Sequence, residues 1–339
     1  KPAASVQSRP LVQLATVLGP SGNVDRYDLF KTRGVVTFAG EVAGRRYLAI
    51  QDQSSAAFVA GAGMAESAQI RLRHFIEVHS NPGWTTPSSD LTASNLFVLG
   101  EGVLPVALRH PLEYSLPRRG EASWIELEGI VRSVSTGGLI ELRENNELFS
   151  VAVLGADAAR LQRDIDARVR VRGVIAFPGK DERLLLVPGI EYFEVVDPPA
   201  AQPYAQPARG ISDLVATTRP DRSLHRTKIS GIVTFASPGL LYLQDSSGGA
   251  RVELASAETA KPGDEIEAVG FPEAAEDRSL VLSNALFRSL GPRLQPPAVA
   301  ARAEEILSGQ LGGRLVRIDA VASRARINES DATIELQRA

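Results

Sequence analysis

The 339-residue sequence predicts an all-β fold with a few short helices, arranged as tandem five-stranded Greek-key barrels. Three observations carry this reading. A strand bearing a glycine recurs as FKTRGVVTFAG around Gly34, WIELEGIVRSV around Gly129 and RTKISGIVTFAS around Gly231, and RLVRIDAVASR has Asp319 where the glycine would stand. These anchors lie 95, 102 and 88 residues apart, about the length of one small β-domain with its linker. After each of the first three, the same ordered series of alternating segments returns, divided by turn residues.

The second strands read YLAIQD, GLIELREN, LLYLQDSSGG and ATIELQRA. Asp52, Asn145-Asn146 and Asp245-Ser-Ser-Gly-Gly supply turn chemistry for a hairpin into third strands AAFVA, LFSVAVL and ARVEL. A polar stretch follows, which in the second repeat, GADAARLQRDID, predicts a short helix. Fourth strands are IRLRHFIEVHSN, ARVRVRGVIAFPG and DEIEAVGFPEA; fifth strands are LTASNLFVLGEG, RLLLVPGIEYFEVVDPP and LVLSNALFRSLGP. Five strands, a helix or loop between the third and fourth, and a glycine that lets the first strand bend into both halves of the barrel make the plan of the OB-fold. The expected modules are 11–110, 111–203 and 208–297, with 299–339 a partial fourth. Proline-rich linkers at 195–210 and 290–305, and ALRHPLEYSLPRRGE between the first two modules, stop the chain from continuing a barrel strand. Helices are predicted from Ile211 in ISDLVATT and from Val299 in VAARAEEILSG, the latter stopping at Gly309, each plugging or spacing a barrel. The fourth module has two strands of five, and truncation of a longer chain is the expected cause.

Composition narrows the function classes. The chain is 44% hydrophobic, with a net charge of −3 and a pI near 5.9, so no global positive field gathers phosphates, and nucleic acid is a possible but disfavoured partner. Its 32 Arg against 5 Lys fit genomic composition as well as function. The absence of cysteine rules out disulfides, thiolate metal sites and a Cys nucleophile. No apolar run reaches the roughly 20 residues of a membrane span, and KPAASVQSRP lacks the pattern of a signal peptide, so a membrane is expected only through segments outside this chain.

No catalytic motif stands out: there is no GxSxG, HExxH, Walker loop or strand-flanked GxGxxG, so the expectation is a non-enzyme with no cofactor. Of the histidines, His74 and His79 sit five apart on one strand and face opposite ways; with His110 and His225 they are read as structural or surface residues, not metal ligands. Asp52 and Asp245, each preceded by glutamine (Gln51, Gln244), are read as turn formers, with recurrent ligand contact as the alternative. OB-folds take ligands on strands 2 and 3 and the flanking loops. The candidate ligand-binding residues there are Tyr47, Trp84, Tyr242, Gln244 and Arg251. Trp84 lies in SNPGWTTPSSDLTASN, the loop between the fourth and fifth strands, where it either stacks on a ring or folds back as a plug. The second module offers Leu139, Glu141 and Arg143 without an aromatic, which breaks a continuous single-strand track; Trp124 in WIELEG is read as core or interdomain packing.

GIVTFASPGLLYLQDSSGGARVEL, KPGDEIEAVGFPE and PPAVAARAEEILSGQLGGRLVRIDA resemble the tandem OB-like repeats of extracytoplasmic sensor regions in bacterial membrane-bound signalling proteins, notably hybrid histidine kinases. The likeness is clearest over 208–339 and looser over 11–207. It implies a non-catalytic sensing or interaction region with a periplasmic address, a cytoplasmic one staying open, and an unknown small molecule, glycan or protein as partner. Because no kinase motif is present, the resemblance puts any signalling output outside this chain. The alternative is a protein that binds single-stranded nucleic acid or oligosaccharide on its barrel faces.

Overall fold

The computed structural model describes residues 9–18, 29–61, 69–81, 90–109, 122–145, 147–179, 182–217, 225–275, 277, 279–309, 311–327 and 332–338. The chain divides into two compact units, 1–199 and 200–339.

Unit 1 opens with α1 (Leu14–Leu18), then β1 (Lys31–Val42), β2 (Arg45–Gln51), β3 (Ala56–Ala60), β4 (His74–Ser80) and β5 (Asp90–Glu101). These strands close into a barrel in the order β1-β2-β3-β5-β4. The β3–β5 pair is parallel and the others antiparallel, which is the Greek-key closure of the OB-fold. A second ring follows: β6 (Leu108–Arg109), β7 (Trp124–Val134), β8 (Ile140–Glu144), β9 (Glu147–Val153), α2 (Ala158–Gln162), β10 (Arg168–Ala176), β11 (Leu184–Val187) and β12 (Phe193–Asp197). Strand β10 pairs with both β11 and β7, so β7-β8-β9-β11-β10 is again a ring of five, with β6 and β12 added at its sides. The predicted single fifth strand is broken here. Pro188 has no N–H to give a ladder, and a 3-10 turn at Ile190–Tyr192 separates β11 from β12.

Unit 2 repeats the first plan with α3 (Ile211–Thr217), β13 (Thr227–Ser237), β14 (Leu240–Gln244), β15 (Gly249–Leu254), β16 (Asp264–Ala274) and β17 (Leu280–Pro292). The barrel closes as β13-β14-β15-β17-β16. Beyond it run β18 (Val299–Ala300), α4 (Ala303–Leu307), β19 (Val316–Arg317), β20 (Ala320–Ile327) and β21 (Ala332–Arg338). Strands β18 and β19 pair in parallel, and β20 and β21 form an antiparallel hairpin. The Glu305 carboxylate accepts the Arg302 N–H at 2.8 Å to start α4, and Gly309, at φ 76, ends it.

The recurrent glycine has a steric cause. A Cβ at Gly34 would lie 3.0 Å from the Gln51 carbonyl oxygen, one at Gly129 2.5 Å from that of Arg143, and one at Gly231 2.6 Å from that of Gln244. The backbone of the second strand occupies the place of a side chain. A register shift follows two residues later in each first strand, at Val36/Phe38, Val131/Ser133 and Val233/Phe235. In β20 the shift falls at Ala322/Arg324, which puts Ala320, not Asp319, at the glycine place. The fourth repeat therefore keeps the smallest side chain where the others have none.

Each barrel holds its own apolar core. Leu14 and Val17 of α1 enter the first, and Ile211 and Leu214 of α3 the third, so these two helices are plugs. The helix at Ile211 was legible from the sequence; the one at Leu14 was not. Helix α2, started by Asp157 accepting the Ala159 N–H at 3.2 Å, sends Leu161 into the second core.

Candidate binding face of the third barrel

The recurrent Gln-Asp pair ends β2 and β14 and does two jobs. Oδ1 of Asp52 accepts the N–H groups of Ser54 and Ser55 at 2.7 and 2.8 Å, and Oδ1 of Asp245 those of Ser247 and Gly248, both at 2.7 Å. That is the expected turn. The second oxygen, Oδ2, reaches the plug helix: it accepts the N–H of Leu14 at 2.8 Å in the first barrel and of Ile211 at 3.0 Å in the third. Ser54 and Ser247 extend the clamp, accepting the N–H of Ala15 at 3.0 Å and of Ser212 at 3.1 Å. Both carboxylates are committed to the fold.

The glutamines are committed as well. Gln51 Oε1 accepts the N–H of Trp124, where the second barrel begins, and Gln244 Oε1 accepts that of Leu315, both at 2.9 Å. The carbonyl of Gln244, expected among the ligand-binding residues, is a joint to the next repeat. Sequence reasoning noticed the recurrence of Gln but could not see its partner, because the donor is a backbone amide.

Alignment by ladder register defines one outward row per barrel across strands 1, 2 and 3. In the first barrel it is Phe38, Ala49 and Phe58; in the second, Ser133, Glu141 and Ser150; in the third, Phe235, Tyr242 and Arg251. The first row is buried, Phe38 completely, beneath Trp124, Val174, Ala176, Leu184 and Leu186 of the second barrel. Tyr47 belongs to the same covered face: it is 7% exposed, its ring set edge-on to Phe58 at 6.0 Å with the Arg45 guanidinium 5.1 Å away. Tyr47 is therefore corrected from open ligand contact to interdomain packing. Trp124, 2% exposed and edge-on to Tyr192, packs in that interface too.

The second row is polar, with the Ser133 hydroxyl donating to Glu141. At the Gln-Asp position this barrel has Arg143 and Glu144 instead. One oxygen of Glu144 is buried without a hydrogen-bond partner, and burial, with the nearby charge of Glu128 adding, raises its carboxyl to about 7.

The third row is both open and aromatic. Phe235 is 51% exposed and stands edge-on to Tyr242 with ring centres 6.0 Å apart. Next to Tyr242 on β15 is Arg251, which pairs with Glu253 at 2.6 Å. A cleft of about 420 Å³ lies at the Gln244 end of β14, lined by Ile232, Gln244, Glu265 and Arg314 among others and by none of the three row residues. Tyr242 and Arg251 thus share one accessible face, Phe235 joins them although the sequence reading missed it, and Gln244 borders them. The marker for Phe235 was its place four residues after Gly231, matching Phe38 after Gly34.

Trp84, His110 and Asn146 lie outside the described residues. His79 bonds Glu77 at 2.8 Å and stacks at a tilt on Phe97, while His74 sits 3.8 Å from Glu101. Among the described residues no three metal-ligating side chains converge, and no helix is long and apolar enough to cross a membrane.

No family model and no curated protein matches the chain. Solved structures align with it at low similarity. They include the p204 HINb domain (15% identity, 48% of this chain and 96% of that one, TM-score 0.22) and a murine DNA binding protein bound with double-stranded DNA (15%, 51% and 99%, TM-score 0.23). A multidomain protein with nucleic acid binding domains from Streptococcus pneumoniae aligns at 14% identity over 82% of this chain and 78% of that one, with a TM-score of 0.15. At these scores the likeness carries no argument, and the OB-fold assignment rests on the strand ladders themselves.

Proposed function

We propose that the chain is a non-catalytic interaction region built from OB-fold modules, with the Phe235–Tyr242–Arg251 face of the third barrel as its free docking surface. One observation carries this reading: the equivalent row of the first barrel is filled by protein, namely the second barrel. A face of the same origin, still aromatic and half open, is suited to the same kind of occupant. The resemblance of the strand pattern to extracytoplasmic sensor regions supports a place in a signalling protein, outside the membrane, with the output elsewhere.

A second reading is favoured by the edge-on Phe235–Tyr242 pair beside a guanidinium, a surface on which a base or sugar ring could stack. Aromatic-ring NMR of the chain titrated with oligo(dT) and with a neutral oligosaccharide, at low and high salt, separates the two. The docking reading expects no shift of Tyr242 with either. Saturable binding that weakens with salt and is lost in Tyr242→Ala would replace it with single-strand binding; salt-indifferent uptake of the sugar would replace it with glycan binding.

A further inference from the structure

We infer that the cleft at the Gln244 end of β14 is a binding site for a small zwitterion with an apolar tail, of the α-amino-acid class. The cleft is separate from the Phe235–Tyr242–Arg251 row, and the inference does not depend on what that row docks.

Equivalent places in the three barrels show what is particular to the third. Ladder register sets Ile232 between Gln244 and Glu265, as it sets Val35 between Gln51 and Phe75 and Ile130 between Arg143 and Arg168. One position thus holds a ring, a guanidinium and a carboxylate in turn. In the second barrel protein answers the charge: Arg168 donates to Asp197 at 2.8 Å and lies 3.8 Å from Glu128. The residue before the amide that glutamine holds also differs, Ser123 preceding Trp124 and Arg314 preceding Leu315. Where the first barrel has Phe75 and Ser123, the third has Glu265 and Arg314, opposite charges lining one cleft.

Those charges have other partners. Glu265 accepts the Arg293 Nε–H on Oε2 at 2.8 Å, and Arg314 gives one terminal nitrogen to the Ser247 carbonyl. Among the described residues no ion pair joins Glu265 to Arg314. The Leu315 N–H on Gln244 Oε1 fixes that amide, so its other end is an NH2 donor. Neither this NH2 nor the Ser246 hydroxyl has a hydrogen-bond partner among the described residues. The lining therefore offers a guanidinium edge, an amide NH2 and a hydroxyl to a carboxylate, and the second oxygen of Glu265 to an ammonium.

The apolar tail has a place as well. Ile232 lines the 420 Å³ cleft together with Pro296, and it also lines a neighbouring hollow of about 570 Å³ with Pro292, Arg293 and Leu294. A head group between Arg314 and Glu265 directs its tail past Ile232 toward Pro292 and Leu294. Both spaces lie in the size range of small-molecule sites.

Methyl NMR of the chain titrated with L-valine, L-leucine, L-methionine and L-phenylalanine tests the site at Ile232. The expected result is a saturable shift of the Ile232 methyl signals with Tyr242 unmoved. For the tightest binder, turning its carboxylate into an amide or removing its amine should each weaken binding about tenfold or more. Glu265→Gln should bring the amino acid down to the affinity of its deaminated analogue and leave that analogue unchanged, and Arg314→Gln should do the same with respect to the amide. No shift at Ile232 with any of the amino acids overturns the assignment, as does equal affinity for the amino acid, its amide and its deaminated acid; both comparisons use the unaltered chain. Movement of Tyr242 in place of Ile232 puts the ligand on the row and overturns it too.

Discussion

Phe38 and Phe235 stand at the same place in two barrels, four residues past the glycine of the first strand, yet one is sealed and the other half in solvent. Their own barrels do not cause the difference. Both have the same strand order, the same register shift and the same plug helix; what differs is whether a neighbour lies on top. The fate of an OB face in this chain is set by the next module, and the same side chain is core in one copy and surface in the other.

The comparison can be broken most sharply by truncating the two rings. Phe38→Ala should cost unit 1 about 3–5 kcal/mol, as a fully buried aromatic does, whereas Phe235→Ala should cost unit 2 less than about 1 kcal/mol. Urea unfolding of both variants checks this, and equal losses would mean the faces are not in different states. A smaller effect sharpens what the barrels share: Asp52→Ala and Asp245→Ala should each cost about 1–2 kcal/mol, because each removes a turn and a helix cap together. Matching losses by the same assay support one clamp used twice; a loss in one barrel alone would deny the equivalence.

The smallest expected effect concerns the barrel that lacks the clamp. Glu144 ionises near 7 in the fold against an ordinary value of 4.5, so between those values the folded chain keeps a proton the unfolded chain has released. Stability from this group is therefore full below 4.5 and lost as pH rises through about 7. Glu144→Gln should flatten that slope, gaining about 1 kcal/mol near pH 8 and nothing near pH 5 once partial solvent screening is allowed for. Denaturation midpoints across this range give the answer, and an unchanged slope would remove Glu144 as its source.

Local chemistry made most of the fold legible. Alternation, turn residues and caps gave the strand series, α2, α3 and α4 directly from short windows. Helix α1 escaped because five residues carry no periodicity and its Asp52 partner lies 38 positions away. The break in the fifth strand at Pro188 was written in the sequence, but RLLLVPGIEYFEVVDPP was read as one strand running through it. The site was less legible. Tyr47 and Tyr242 looked alike because composition cannot tell which face a later module covers, and the register pairs Tyr47 with Gly40 and Leu240 with Ser237, two positions from Tyr242. Asp319 was assigned the glycine place because only the ladder reveals the shift that selects Ala320.

The two-handed aspartate has a consequence for how the first and third barrels are closed. A helix of five or seven residues does not persist alone in water, and the oxygen that anchors it belongs to a carboxylate whose other oxygen holds the hairpin turn. In the first and third barrels the plug is thus held by a turn 38 and 34 residues downstream of it, so each of these cylinders is sealed by a segment from outside its own strand series.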